Sequence, residues 1–339
     1  MLRIEPYTIR LKRAFTLASG SRTATPAVLV ELEREGITGF GEASLPPSTG
    51  ETQEGTVEFL RRVDLSPYPD PGRMDEILKG VDALGEGHHA AKAAVDIALH
   101  DWVGKRCGRA WCDIRGLDRE RTPLSSYTIS IGDPADVEAQ VRESGDFPIL
   151  KVKCGGGRDR ETIQAVRRHT DVPLRVDANG GWKDPAGALE TIRWMKSEGV
   201  ELVEQPLPPA DREGARWLKE RSPLPLIADE AVRRLGDLEG AGACFHGVNI
   251  KLMKCTGMAE ARRMILRARE LGLGVMLGCM TETSCGISAA SQLAPLADWL
   301  DLDGALLIEE DPFRGATLEK GILTIPREPG IGAQRRGQT

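Results

Sequence analysis

The sequence predicts an α/β protein built on an eight-stranded βα barrel, preceded by an α+β unit. Three observations carry this expectation. The chain has 339 residues, 40% of them hydrophobic, and 38 glycines, enough for a large core and many tight strand-to-helix turns. Its rhythm changes near residue 120. From residue 124 onward, eight short apolar, β-branched runs recur, with amphipathic stretches between them.

The elements follow in order. Arg3–Arg10 alternates as a strand does. Ala27–Arg34 and Thr38–Glu42 read as a hairpin turning at Glu35-Gly36. Helical patterns cover about Thr52–Val63 and His89–Gly104, the second with a glycine at its end. These make an α+β unit over residues 1–120. The barrel strands are expected at Leu124–Gly132, Pro148–Cys154, Pro173–Gly180, Val200–Leu207, Pro225–Glu230, Gly247–Lys254, Leu273–Met280 and Ala297–Gly304. Asp159–His169, Pro185–Ser197, Ala210–Arg221 and Met258–Leu271 read as helices between them, which implies a parallel sheet. Eight such units over residues 121–305 imply a closed barrel. The alternatives are a doubly wound open sheet and a two-layer α+β domain. An open sheet usually carries a Gly-rich phosphate turn after its first strand, and Ser130-Ile131-Gly132-Asp133 does not match it. After Gly304 no long helical pattern exists. Ala316–Ile325 reads as a short hairpin, so the tail, 306–339, is expected to return to the first unit.

Composition excludes several classes. A net charge of −6 argues against nucleic acid or an anionic membrane as partner. No stretch of 18 apolar residues exists and the N-terminal residues lack an apolar signal core, so a soluble, cytoplasmic protein is expected. The seven cysteines form no Cys-x-x-Cys pair and read as reduced thiols. None of the five histidines ends an expected strand, which argues against a histidine relay or a zinc site.

The informative charges fall at the C-terminal ends of the expected strands, the face that carries chemistry in such barrels. The second strand ends Lys151-Val152-Lys153, the third Asp177-Ala178-Asn179, the fourth Glu204-Gln205 and the fifth Asp229-Glu230. The sixth carries Lys251, and the eighth ends Asp301-Leu302-Asp303. The steps from Lys153 to Asp177, Glu204, Asp229 and Lys251 are 24, 27, 25 and 22 residues, one βα unit each. Three carboxylates converging in a low-dielectric mouth repel one another unless a cation joins them. Mg²⁺, a hard ion that takes oxygen ligands, fits Asp177, Glu204 and Asp229. Lys153 and Lys251 then stand across the ring from each other. That suits inversion of a carbon next to a carboxylate, one lysine taking a proton and the other returning one. The metal would stabilise the enediolate formed midway. Lys151, beside Lys153 on the same face, is a candidate for keeping that base neutral by its charge.

LKVKCG (150–155), RVDANGGW (175–182), VEQPLP (203–208), IADE (227–230) and NIKLMKCTG (249–257) resemble the motifs of the enolase superfamily, and within it the muconate-lactonizing subgroup. The pairing of lysine bases with Mg²⁺ in that superfamily is itself a known pattern. The resemblance implies a modified (β/α)7β barrel under an N-terminal capping domain. It implies Asp177, Glu204 and Asp229 as Mg²⁺ ligands, Lys153 and Lys251 as the acid/base pair, and Lys151 as support. Lys153 would serve the L isomer and Lys251 the D isomer. Asp301 and Asp303 resemble the Asp-x-Asp of the dipeptide epimerases, which binds a terminal ammonium; two carboxylates facing one pocket want a cation. Arg22, in the stretch Ala18–Thr25, resembles the arginine that the Ala-Glu epimerases place against a glutamate carboxylate. Thr128 and Met280 are further candidates for substrate contact, and Asn179 and Glu230 for support of the ligands. The loop Leu45–Glu51 is a candidate lid. The expected partner is a small dipeptide, L-Ala-D/L-Glu first, with homo-oligomerisation left open. The alternatives are another dipeptide, an N-acylamino-acid racemase, an o-succinylbenzoate synthase or cycloisomerase, and a non-enzymatic scaffold.

Overall fold

A computed structural model describes residues 2–337 apart from 19, 69 and 71. Residue 19 of the 18–25 stretch, residue 1, and residues 338 and 339 of the tail lie outside the described residues.

The chain opens with an antiparallel sheet, β1 (Leu2–Leu17), β2 (Gly20–Arg34) and β3 (Ile37–Ser44), in that order. Glu35 and Gly36 turn the second hairpin with φ of 53° and 72°, the paired positive values that a two-residue turn requires. Within the 18–25 stretch, expected as a loop, Gly20–Thr25 is strand, so Arg22 stands on a defined ladder opposite Phe15. Then come α1 (Gln53–Arg61), α2 (Met74–Ala83), α3 (His89–Arg106) and the short α4 (Trp111–Ile114). α3 lies flat on the sheet because Gly39 and Gly41 leave no side chain there. A Cβ at Gly39 would meet Ala98 O at 2.2 Å, and one at Gly41 would meet Ala94 O at 2.0 Å.

The barrel follows as β4 (Tyr127–Ile129), α5 (Pro134–Ser144), β5 (Leu150–Lys153), α6 (Asp159–Arg167), β6 (Leu174–Asp177), α7 (Pro185–Ser197), β7 (Val200–Glu204) and α8 (Arg212–Lys219). It continues through β8 (Leu226–Ala228), α9 (Leu238–Ala241), β9 (Gly247–Lys251), α10 (Met258–Glu270), β10 (Gly274–Gly278), α11 (Ser284–Ser291) and β11 (Trp299–Asp301). All eight strands are parallel and neighbours in sequence order. A bridge between Ser125 and Leu300 closes the ring. Each expected strand is present, shorter than its apolar run. Asn179, Asp229 and Asp303 therefore lie just past their strands rather than on them.

Beyond β11 the chain makes a 3₁₀ turn, Gly304–Leu306, in place of an eighth helix. Four short strands end it: β12 (Phe313–Arg314), β13 (Thr317–Glu319), β14 (Ile322–Thr324) and β15 (Gln334–Arg335). β13 and β14 are the expected hairpin. The tail meets the first 120 residues at several points. Arg335 bonds Glu5 and Glu31, Ile331 N donates to Asp101, and Phe313 stacks edge-on against Phe40. The β1–β2 hairpin reaches over the barrel mouth, where Ile131 N donates to Thr16 O at 3.0 Å. Among the described residues no helix is long and apolar enough to cross a membrane.

Candidate active site

The barrel register sets the site. Lys153 pairs with Asp177 and Asp177 with Glu204, so three functional side chains leave adjacent strands at one level. On the other side Lys251 pairs with Gly278, and Gly278 with Asp301. Lys153 on β5 and Lys251 on β9 are four strands apart in a ring of eight.

Above them is a cavity of about 470 Å³. Its wall includes Lys153, Lys251, Asp229, Asp301 and Asp303 from the barrel and Arg22 from β2. Thr128, Met280, Asn179 and Glu230 also line it, whereas Lys151, Asp177 and Glu204 are buried behind that lining. The Leu45–Glu51 segment contributes Pro46, Pro47 and Ser48 to the wall. It forms a 3₁₀ turn tied down by Arg233 Nη2, which donates to Thr49 O at 3.1 Å, and by Glu51, which accepts from Ala90 N at 3.1 Å.

Asp177, Glu204 and Asp229 offer one oxygen each within 4.8 Å of one another. Lysines surround them. Lys151 Nζ lies 3.1 Å from Asp177 Oδ2, 2.7 Å from Glu204 Oε2 and 2.6 Å from Asp301 Oδ2. Lys153 Nζ donates to Asp177 at 2.6 Å and Lys251 Nζ to Asp229 at 2.8 Å. Burial alone would raise Asp177, but Lys153 and then Lys151 bring it down to about 2. Asp229 is likewise held well below its ordinary value, because Lys251 and Lys254 outweigh its burial. Glu204 goes the other way: burial, then the adjacent Asp177, push it up to about 7. Lys151 and Lys251 stand well above the ordinary lysine value despite burial, held there first by Asp301 and Asp229 respectively.

The residues fit a hydrated hard cation. The donors are all carboxylate oxygens at the ends of adjacent strands, and burial beside Asp177 disfavours the bare charge of Glu204. Three buried oxygens, Glu204 Oε2, Glu230 Oε2 and Asn179 Oδ1, lack a hydrogen-bond partner. For Glu204 Oε2, the close approach of Lys151 does not have hydrogen-bond geometry.

Asn179 and Glu230 bond each other at 3.1 Å, and Asn179 N donates to Asp177 Oδ1 at 3.0 Å. Asp303 accepts from Thr128 N at 2.6 Å and Thr128 Oγ1 at 3.2 Å. Burial, and next Asp301, raise Asp303 to about 7. Such a pair is ionised most readily beside a cation. Arg22 is half-buried over the Phe15 ring, 5.0 Å from its centroid. Among the described residues it has no ion-pair partner.

Sequence reasoning missed several supports. Asn249 Nδ2 donates to Glu204 at 2.8 Å; two residues before Lys251, it shares that strand face, a signal that was present. Lys254 Nζ donates to the backbone carbonyl and the carboxylate of Asp229 and also to the carbonyls of Val232 and Asn249. Gln205 accepts from Asp229 N and Ala231 N. Lys254 and Gln205 lie past their strands, where alternation gives no guide.

Residues 3–116 match the mandelate racemase / muconate lactonizing enzyme N-terminal domain, and residues 134–338 match the enolase C-terminal domain-like family. An L-Ala-D/L-Glu epimerase of Bacteroides thetaiotaomicron is 50% identical over 331 residues, 97% of this chain and 86% of that one. A substrate-liganded L-Ala-D/L-Glu epimerase structure from Bacillus subtilis superposes with a TM-score of 0.91 at 30% identity, over 98% of each chain. A Cytophaga hutchinsonii dipeptide epimerase, complexed with Mg and D-Ala-L-Val, gives 0.93 at 26% identity, over 99% of this chain and 95% of that one. The chain belongs to the mandelate racemase / muconate lactonizing enzyme family of the enolase superfamily.

Proposed function

We propose that the protein epimerises dipeptides in a Mg²⁺-dependent reaction, with L-Ala-D/L-Glu as the preferred pair. The observation that carries this is the placement of Lys153 and Lys251 on opposite strands, with a carboxylate triad and the Asp301–Asp303 pair on the same mouth.

In this reading Asp177, Glu204 and Asp229 hold Mg²⁺, supported by Asn179 and Glu230. When bound, Mg²⁺ supplies the Lewis acidity that acidifies the proton next to the substrate carboxylate. Asp301 and Asp303 bind the terminal ammonium, with Thr128 fixing Asp303 and Met280 lining the wall. That anchoring puts the α-carbon between the two lysines. Lys153 Nζ removes the proton from the L isomer on one face, and Lys251 Nζ returns one on the other. Lys251, kept charged by Asp229, starts as the proton donor. Arg22 meets the side-chain carboxylate of the second residue. Residues 1–120 and 306–339 form the cap, which selects the side chain, over a catalytic barrel of residues 121–305. The enzyme is cytoplasmic, with its free thiols reduced.

The test is proton exchange. With Mg²⁺ and L-Ala-L-Glu in D₂O, the glutamyl α-proton signal is expected to vanish while L-Ala-D-Glu appears, and chelation should stop both. Exchange in N-acylamino acids without exchange in any dipeptide would overturn the reading.

A further inference from the structure

We propose that Thr25 is a positioning residue for Arg22, one that registers the cap's guanidinium against the barrel through Thr281 and so sets the preference for an acidic second residue. The inference rests on the reading of Arg22 as the side-chain carboxylate contact.

Arg22 Nε donates to Thr25 Oγ1 at 3.2 Å. Residues three apart on a flat strand face opposite sides. Here the β1–β2 register breaks between Arg10, paired with Ala24, and Phe15, paired with Arg22, so the flat-strand rule does not hold over this stretch. No other hydrogen bond of the Arg22 guanidinium is present among the described residues. With Nε engaged and the ring of Phe15 beneath, both terminal nitrogens remain as a planar fork for an anion.

Thr25 is fully buried, and its Oγ1 is 2.7 Å from Oγ1 of Thr281, itself 3% exposed. A hydroxyl has one proton to give. Thr25 accepts from Arg22, so its own proton is free for Thr281. Thr281 is also gripped from β3, where Ser44 Oγ donates to Thr281 O at 2.7 Å. The segment so held follows β10, whose last residue, Gly278, pairs with Lys251. One short chain of contacts thus runs from the guanidinium to the strand beside a catalytic lysine. It fixes how far the side-chain carboxylate site lies from the α-carbon site, the spacing that distinguishes one dipeptide from another.

The experiment compares L-Ala-L-Glu with its neutral isostere L-Ala-L-Gln, in the wild type and in Arg22→Met, Thr25→Val and Thr25→Ser. Thr25→Val should raise KM for L-Ala-L-Glu roughly tenfold, the scale of one misaligned bond to a charged group. Its kcat, and kcat/KM for L-Ala-L-Gln, should stay within about twofold. Thr25→Ser should restore the wild-type KM, which a purely steric role would not. If Thr25→Val strands the buried Thr281 hydroxyl and unfolds, the Thr25→Val/Thr281→Val double variant removes both partners, and the Glu/Gln ratio is read there. A ratio lost in Arg22→Met but unchanged in the Thr25 variants would overturn this inference alone. A ratio unchanged in Arg22→Met would overturn the role of Arg22 and this inference with it.

Discussion

Lys151 and Lys153 converge on one oxygen: their Nζ atoms lie 3.1 and 2.6 Å from Asp177 Oδ2. Alternation on β5 presents both side-chain nitrogens to the same carboxylate. Lys151 also touches Glu204 and Asp301, so it joins the triad to the Asp301–Asp303 pair.

Removing Lys151 should therefore expose the triad's dependence on cations. In chelator, Lys151→Met leaves three buried carboxylates short of a partner, a loss of roughly 3–5 kcal/mol. Mg²⁺ should restore most of it. Thermal unfolding is expected to show a larger Mg²⁺-induced rise in Tm for the variant than for the wild type. Equal rises would refute this account of Lys151.

The two lysines proposed as the acid/base pair, Lys153 and Lys251, should separate by isomer. Lys251→Ala is expected to abolish epimerisation yet still exchange the α-proton of L-Ala-L-Glu in D₂O, and Lys153→Ala to retain exchange only with L-Ala-D-Glu. Turnover should fall by about 10²–10⁴ in each. Exchange of both isomers in either single variant would contradict two-base chemistry.

Asp303 offers a cleaner test of ammonium binding than Asp301, since Asp301 also pairs with Lys151. Asp303→Asn should raise KM for L-Ala-L-Glu by roughly 10–100-fold. N-acetyl-L-Ala-L-Glu, which lacks the ammonium, should be handled no worse by the variant than by the wild type.

Gly278 bears on Glu204, a proposed Mg²⁺ ligand, without touching it. A Cβ there would sit 2.5 Å from Asn249 Oδ1, and Asn249 in turn holds Glu204. Gly278→Ala is expected to weaken Mg²⁺ binding by about 10–100-fold, as Asn249→Leu should. Calorimetric titration with Mg²⁺ would decide it; unchanged affinity in both variants removes Asn249 from the site.

Stability should fall toward alkaline pH through a buried carboxyl pair. Glu42 on β3 accepts from Thr283 and Gly286 at the start of α11. Burial, and next Glu282, raise Glu42 to about 8; burial raises Glu282 to about 7. Both hold protons more tightly folded than unfolded. Their penalty is absent below about pH 4.5 and grows as pH rises through those values. Glu42→Gln should flatten the decline of Tm between pH 5.5 and 8.5, by the equivalent of roughly 1–2 kcal/mol. Parallel curves would discount the pair.

The barrel and its ring of carboxylates and lysines were legible because both follow from period. Lys153, Asp177 and Glu204 recur one βα unit apart and end at one level. α11 escaped notice because Cys285–Ser291 is buried all round and has no amphipathic stripe to detect. α5 carries local signals of its own in its Asp133 cap and Pro134 start. Thr25 and Thr281, 256 residues apart, meet only once the hairpin bends over the mouth; no local pattern announces them.

The clasp of Arg335 on Glu5 and Glu31 also has a temporal meaning. At about 5–20 residues per second, the ribosome needs on the order of 15–60 s to travel from the second strand to that arginine. Through that interval the newborn amino-terminal hairpin must wait without its fastening, and until Leu11 bridges Ile308 its outer strand also lacks its backbone partner in the tail, an open edge of the kind that recruits other chains. A truncation of only the last few residues would make that wait permanent. Its damage should surface as aggregation during synthesis before it is measurable as lost turnover.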